Sequence, residues 1–178
     1  GPYGADTLEN RLRFTTDVLA AVRRRVGPEF IVGIRYTADE VQAGGITAED
    51  GIEISKLLRD TGQVDFLNVI RGRIHTDPAM TDVIPIQGMP SAPHLDFAGE
   101  VRRATGMPTF HAAKIQDVAT GRHAIASGLL DMVGIGSPRG KPIVDKIRSA
   151  GVDAFRFVID HPVAQVEDIG MGSNIQGS

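Results

Sequence analysis

Cysteine is absent from the 178-residue chain, which excludes disulfides, zinc ribbons, thiolate-held iron–sulfur clusters and thiol nucleophiles within these residues. Any redox chemistry must therefore come from a bound organic cofactor. A surplus of positive charge is also missing: 19 Lys+Arg stand against 22 Asp+Glu, a net charge of -3, so neither nucleic acid nor anionic lipid is favoured as a partner. No apolar run approaches the ~20 residues that span a bilayer, and Gly1-Pro2-Tyr3-Gly4 offers neither the basic nor the apolar part of a secretion signal. The expectation is a cytoplasmic protein with a small-molecule substrate, no nucleic-acid partner and no membrane partner. H-E-x-x-H spacing, a G-x-S-x-G elbow and a Walker loop are all lacking, so no metal is expected, and acyl transfer and nucleotide hydrolysis lose support.

What the chain does contain is a regular alternation. Asp6-Thr7-Leu8-Glu9 reads as a capping box, and Leu8, Leu12, Thr15, Leu19, Val22 and Val26 recur on one helical face up to Gly27-Pro28. Phe30 to Tyr36 is a short, nearly unbroken apolar run, the pattern of a parallel strand covered on both faces. Helices are then predicted over Thr47 to Leu58, Leu95 to Ala104, Val118 to Ser127 and Ile143 to Ala150. Strands are predicted over Val64 to Ile70, Pro108 to Lys114 and Leu130 to Ile135, with a weaker fifth at Ala154 to Ile159. The stretch from Arg71 to Pro93 is far longer than an ordinary connection, which marks it as functional.

About four βα units after an opening helix imply a parallel sheet, either doubly wound or part of a (β/α)8 TIM barrel. A complete barrel takes about 250 residues and eight strands, so half a barrel fits the length. The chain accordingly reads as a piece of a longer protein. Residues 1-150 form the half-barrel domain of this reading, and residues 151-178 a divergent, partly flexible C-terminal extension.

Three places could carry chemistry. Arg35 ends the run Val32-Gly33-Ile34-Arg35, which puts a charge at the carboxyl end of an apolar strand, where α/β sheets and barrels hold ligands. It either forks onto a phosphate or ring carbonyl or pairs with a carboxylate at the strand mouth. His111-Ala112-Ala113-Lys114 and Gly134-Ile135-Gly136-Ser137-Pro138-Arg139-Gly140 follow two neighbouring strands. Small residues there let an anion approach backbone N–H groups, with Lys114 or Arg139 supplying charge. An ordinary Gly-Pro turn is the competing reading. Arg71 and Arg73 open the long loop, either as a carboxylate-binding pair with Arg73 toward substrate or as a solvated basic turn. Of the histidines, His94 is expected near a helix start, His123 on a helix surface and His111 within a buried strand.

The order of these residues resembles the flavin oxidoreductases of the Old Yellow Enzyme type, in particular the trimethylamine dehydrogenase-like branch with its demethylases of N-methylated amino acids. Tyr3-Gly4 with Leu8-Glu9-Asn10-Arg11-Leu12-Arg13-Phe14 is similar to that family's Y-G-G-S-L-E-N-R-x-R-F run. Val32-Gly33-Ile34-Arg35 resembles its V-G-x-R strand, and Gly44-Gly45-Ile46-Thr47 its G-G-L-T helix start. Asp65 to Val69, His111 to Ile115 and Leu130 to Gly134 look like the later strands of the demethylase branch.

The resemblance implies strands five to eight, the C-terminal half, of an FMN-binding barrel. Arg35 would touch the flavin ring, Ala113 and Lys114 would replace the family's Gly-Arg pair at the FMN phosphate, and Gly134 with Gly136 would line the companion phosphate loop. Lys114 keeps the charge of the family's arginine and loses its fork. The cysteine cluster of this branch is missing, so no iron–sulfur cluster is expected on this chain, and catalytic residues of the earlier strands are not assigned. The leading expectation is a fragment of an FMN-dependent oxidoreductase whose full-length relatives demethylate N-methylated amines or reduce alkenes. The alternative is a non-catalytic phosphate- or flavin-binding assembly module. Two open sheet edges make a homodimer or a complementing chain the expected partner.

Overall fold

The computed structural model describes residues 1–4 and 6–134. Helices and strands alternate in the order α1 (Leu8–Val26), β1 (Gly33–Asp39), α2 (Ala48–Asp60), β2 (Phe66–Arg71), α3 (Asp77–Val83), α4 (Leu95–Thr105), β3 (Thr109–Ala112), α5 (Val118–Ala126) and β4 (Met132–Gly134). Local chemistry sets the boundaries. The side chains of Thr7, Thr47, Thr76 and Asp117 each accept a hydrogen bond from a backbone N–H in the first turn of α1, α2, α3 and α5, and at Thr47 the Asp50 carboxylate returns the bond to complete a capping box. At its other end α4 closes on Gly106, whose φ of +67° is left-handed backbone that a Cβ disfavours.

The four strands are all parallel and lie in sequence order, β1-β2-β3-β4. A doubly wound sheet would reverse its order at a switch point and carry helices on both faces. Among the described residues only one face is covered. Ala38, Leu67, Val69, Thr109, His111 and Val133 are buried on the helix side with Ile54, Leu58, Phe97, Ala98, Val101 and Ala124. Pairing of Arg35 with Asn68, Asn68 with Phe110 and Phe110 with Met132 puts those four on the opposite face, where none is buried. Four parallel strands with helices on one side are consistent with half of a (β/α)8 barrel.

At the amino ends of the strands one device occurs twice. The Asp65 backbone N–H donates to the Val32 carbonyl and its carboxylate accepts the Val32 N–H, both at 2.7 Å. Likewise Asp131 N–H donates to the Thr109 carbonyl at 3.0 Å and its carboxylate accepts the Thr109 N–H at 2.9 Å. Each carboxylate also binds an arginine of a preceding helix, Arg23 at 2.7 Å and Arg102 at 2.7 and 2.8 Å.

Several boundaries differ from the sequence reading. The first strand was expected over Phe30 to Tyr36, but Phe30 and Ile31 are exposed and pairing runs from Gly33 to Asp39. The Val32 N–H goes to the Asp65 side chain instead of the ladder, and the strand continues because Thr37 and Asp39 find partners in Ile70 and Arg71. Arg35 therefore sits within β1 rather than at its carboxyl end. The strand at Pro108 to Lys114 is shorter, because Lys114 takes left-handed backbone, φ +53°. The stretch from Arg71 to Pro93 contains α3, begun by Thr76-Asp77-Pro78 with proline in the first turn. The expected helix Ile143 to Ala150, the strand at Ala154 to Ile159 and the extension 151-178 lie outside the described residues.

Two substitutions test this packing. A Cβ on Gly51 of α2 would lie 1.7 Å from the Ala38 carbonyl oxygen, so Gly51→Ala should cost about 3 kcal/mol or more, read by urea unfolding. Asp131→Ala frees the Thr109 N–H and Arg102 together and should cost roughly 2 kcal/mol in the same measurement.

Candidate functional site

The uncovered face of the sheet brings the candidate residues together. In its central row Arg35 of β1 stands beside Asn68 of β2, followed by Phe110 of β3 and Met132 of β4. Arg35 is exposed, and no described residue gives its guanidinium an ion pair or hydrogen bond. Toward the carboxyl ends Ala112 pairs with Gly134, so the Ala113-Lys114 corner and the end of β4 are neighbours. Three strand spacings separate β1 from β4, roughly 14 Å, a length that suits an elongated ligand lying across the sheet.

Gly134 and Lys114 are more constrained than a bare phosphate cradle would be. A Cβ on Gly134 would come within 2.5 Å of the Ala112 Cβ and 2.7 Å of the Phe110 ring, so glycine leaves the space that these two side chains occupy. The Lys114 ammonium donates to the carbonyls of Ile86 and Met89, while its own carbonyl accepts from Ser91 Oγ and the Ala92 N–H. One of its three N–H groups remains for a ligand. Gly136 and Arg139 lie outside the described residues.

At the mouth of the strands the charges largely neutralise one another. Arg71 donates to Asp39 at 2.8 Å and stacks its guanidinium 5.0 Å over the Phe97 ring. Asp39 is buried, and its other oxygen accepts the Val41 N–H at 2.8 Å, which holds Val41 at its left-handed φ of +52°. Arg73 donates to Gln42 Oε1 at 2.8 Å and stands 3.9 Å from Glu40. Sequence reasoning missed Asp39 as the mouth carboxylate because it placed the end of β1 three residues early. It missed Asn68 because one polar residue in an apolar run carries no signal until strand register places it beside Arg35.

Behind the sheet, on the helix side, two histidines are buried. His111 is 2% exposed and His94 8%. The His111 Nδ1–H donates to the Val69 carbonyl at 2.8 Å, and the His94 Nε2–H to the Asp82 carbonyl at 2.6 Å. Burial holds the His111 pKa below its ordinary value; the Val69 hydrogen bond opposes the shift, and the neighbouring His94 and Arg35 add to it. Tyr36, on the same side, is pushed up to about 12 by burial and bonds Ser55 Oγ, so it is a packing group without acid–base use near neutrality. His94 stands at the start of α4 and His123 is exposed on α5, as their sequence positions suggest.

A parallel sheet in sequence order with helices on one side is consistent with half of a (β/α)8 barrel, a class of fold that holds ligands at the carboxyl ends of its strands. Residues 2–139 match the model of the NADH:flavin oxidoreductase / NADH oxidase family, and the chain belongs to that family. It is 66% identical over 135 residues to a protein of Rhizobium meliloti described as "Probable N-methylproline demethylase", covering 76% of this chain and 20% of that protein. A multifunctional alkene reductase/demethylase of Caballeronia cordobensis is 45% identical over 134 residues, 75% of this chain and 19% of that one. Among solved structures, a 2-naphthoyl-CoA reductase superposes with a TM-score of 0.70 at 24% identity, over 85% of this chain and 22% of that one. Histamine dehydrogenase from Rhizobium sp. 4-9 superposes with a TM-score of 0.69 at 18% identity, over 84% and 21%, and both support the fold. The chain thus spans about one fifth of the length of these relatives. No helix among the described residues is long and apolar enough to cross a membrane.

The buried imidazole sets a pH dependence. With its folded pKa depressed, His111 binds fewer protons than in the unfolded chain, so stability is full above about 6.5 and falls as pH drops below that value toward the folded pKa. His111→Gln should flatten this part of the profile of urea midpoint against pH, while the loss at more acid pH, from the depressed Asp65 and Asp131 carboxyls, should persist.

Proposed function

We propose that the chain is the C-terminal half, strands five to eight, of an FMN-binding (β/α)8 barrel of the trimethylamine dehydrogenase-like branch. Its whole protein would take hydride from an N-methylated amine or deliver it to an electron-poor alkene. A cytoplasmic setting and a small-molecule substrate go with this reading. The observation that carries it is the Arg35 guanidinium, exposed on the uncovered sheet face, without a partner among the described residues and level with Asn68. The close likeness to the protein described as an N-methylproline demethylase supports demethylation as the reaction.

FMN fits the residues present. Arg35 would hold the pyrimidine edge of the flavin ring and stabilise negative charge there, with Asn68 as a second polar contact. Ala113 allows close approach at the phosphate end, Lys114 supplies a cation, and Gly134 keeps the Phe110 ring below the ligand. Bound FMN would supply the two-electron chemistry by accepting or donating hydride. Arg73 is the candidate for a substrate carboxylate, because at the mouth it holds a neutral Gln42 closely and Glu40 only at 3.9 Å.

A second reading, a non-catalytic assembly half-barrel, draws on a different observation. Phe14, Val18 and Val22, one turn apart on α1, are 69%, 44% and 38% exposed, and an apolar stripe of that kind fits a second copy or a complementing chain.

Flavin uptake separates the two readings. Titrating the purified chain with FMN should quench flavin fluorescence, and Arg35→Ala or Lys114→Ala should each weaken binding roughly 10- to 100-fold, the worth of one charged hydrogen bond. A protein that takes up no FMN but elutes as a dimer supports the assembly module. On the first reading, the parent reading frame upstream of Gly1 encodes four further βα units.

A further inference from the structure

The two buried histidines behind the sheet lie outside the flavin face, and each has one ring nitrogen without a protein partner: His94 Nδ1 and His111 Nε2. Their tautomers follow from their other bonds. Because His94 Nε2 faces the Asp82 carbonyl and His111 Nδ1 the Val69 carbonyl, each of those nitrogens carries the proton. In the neutral rings the two unpartnered nitrogens are then acceptors. The rings lie 6.4 Å apart between centroids at 72°, too far for a ring nitrogen of one to bond a ring nitrogen of the other directly.

Buried acceptors require donors. The group that joins two acceptors must present two donors, be small and carry no charge, because burial and the nearby Arg35 already disfavour positive charge at His111. A metal ion would need further ligands, and no group of three or more His, Cys, Asp or Glu able to hold one occurs among the described residues. We propose that His94 Nδ1 and His111 Nε2 together bind one buried water molecule, which donates a hydrogen bond to each.

The water completes a polar chain from the long mouth segment to the sheet: Asp82 carbonyl, His94, water, His111, Val69 carbonyl. Asp82 belongs to α3, where its Cβ lies 2.5 Å from the place a Gly72 Cβ would occupy. The bridge thus anchors α3 near the strand mouth to β2, one residue from Asn68 on the ligand face. His94 and His111 are positioning residues in this role, acting on where the segment sits.

A high-resolution crystal structure of the protein is the direct test, with one water expected at about 2.6–3.2 Å from both nitrogens. A peak with an anomalous metal signal, or a dry gap with either ring turned to another partner, overturns the proposal. Hydrogen exchange of the α3 amides gives an independent readout. His94→Leu and His111→Leu should each speed exchange roughly tenfold, and the double variant should add little, because both act through one shared molecule. His111→Gln, which keeps an acceptor, should restore most of the protection. Additive single effects, or no rescue by glutamine, overturn the bridge, and the wild-type crystal structure decides the matter if the leucine variants do not fold.

Discussion

Two aspartates hold the sheet in register, and the separation of its two faces depends on them. Asp65 and Asp131 stand just ahead of β2 and β4, and each chelates the backbone of the preceding strand through its own N–H and its carboxylate. A slip of one residue between parallel strands would turn every side chain to the opposite face. Arg35 would then point among the helices and Leu67 into the open. Since Arg23 and Arg102 tie the same carboxylates to α1 and α4, the helices are docked by the groups that set the register.

That register separates two kinds of surface with one strand alternation. On the helix side even polar groups are drawn inward and donate to backbone carbonyls, as His111 Nδ1 does to Val69 and Thr109 Oγ1 to Met107. On the other side Arg35 and Asn68 keep their polar atoms outward. The mouth is different again, for its cations are matched: Arg71 with Asp39, and Arg73 with Gln42 and Glu40. Arg35 differs from the two arginines that open the long segment in having no ion pair or hydrogen bond from any described residue.

Apart from α3, element order and type were legible in the sequence because capping residues and apolar periodicity act locally: Thr7 and Thr47 start helices, and Gly27 and Gly106 stop them. Strand ends were less legible. Where β1 begins depends on whether the Val32 N–H goes to the ladder or to Asp65, thirty-three residues away, and no local pattern encodes that choice. Arg35 and Lys114 were visible as charges beside apolar strands. Their surroundings were not, since the carbonyls that occupy Lys114 come from a segment whose path depends on α3, itself signalled only by Thr76 and Pro78. Family likeness, carried by motifs spread over the chain, reached further than any single spacing.

The left-handed corner at Lys114 joins two events that could have been independent. One residue grips the last part of the long segment twice, by its ammonium at Ile86 and Met89 and by its carbonyl at Ser91 and Ala92. An anion that pulls the ammonium away from those two carbonyls, rather than taking its remaining N–H, loosens that grip, and by thermodynamic reciprocity a loosened segment favours that anion. Anion affinity at this corner and the freedom of residues 86–92 would then be linked.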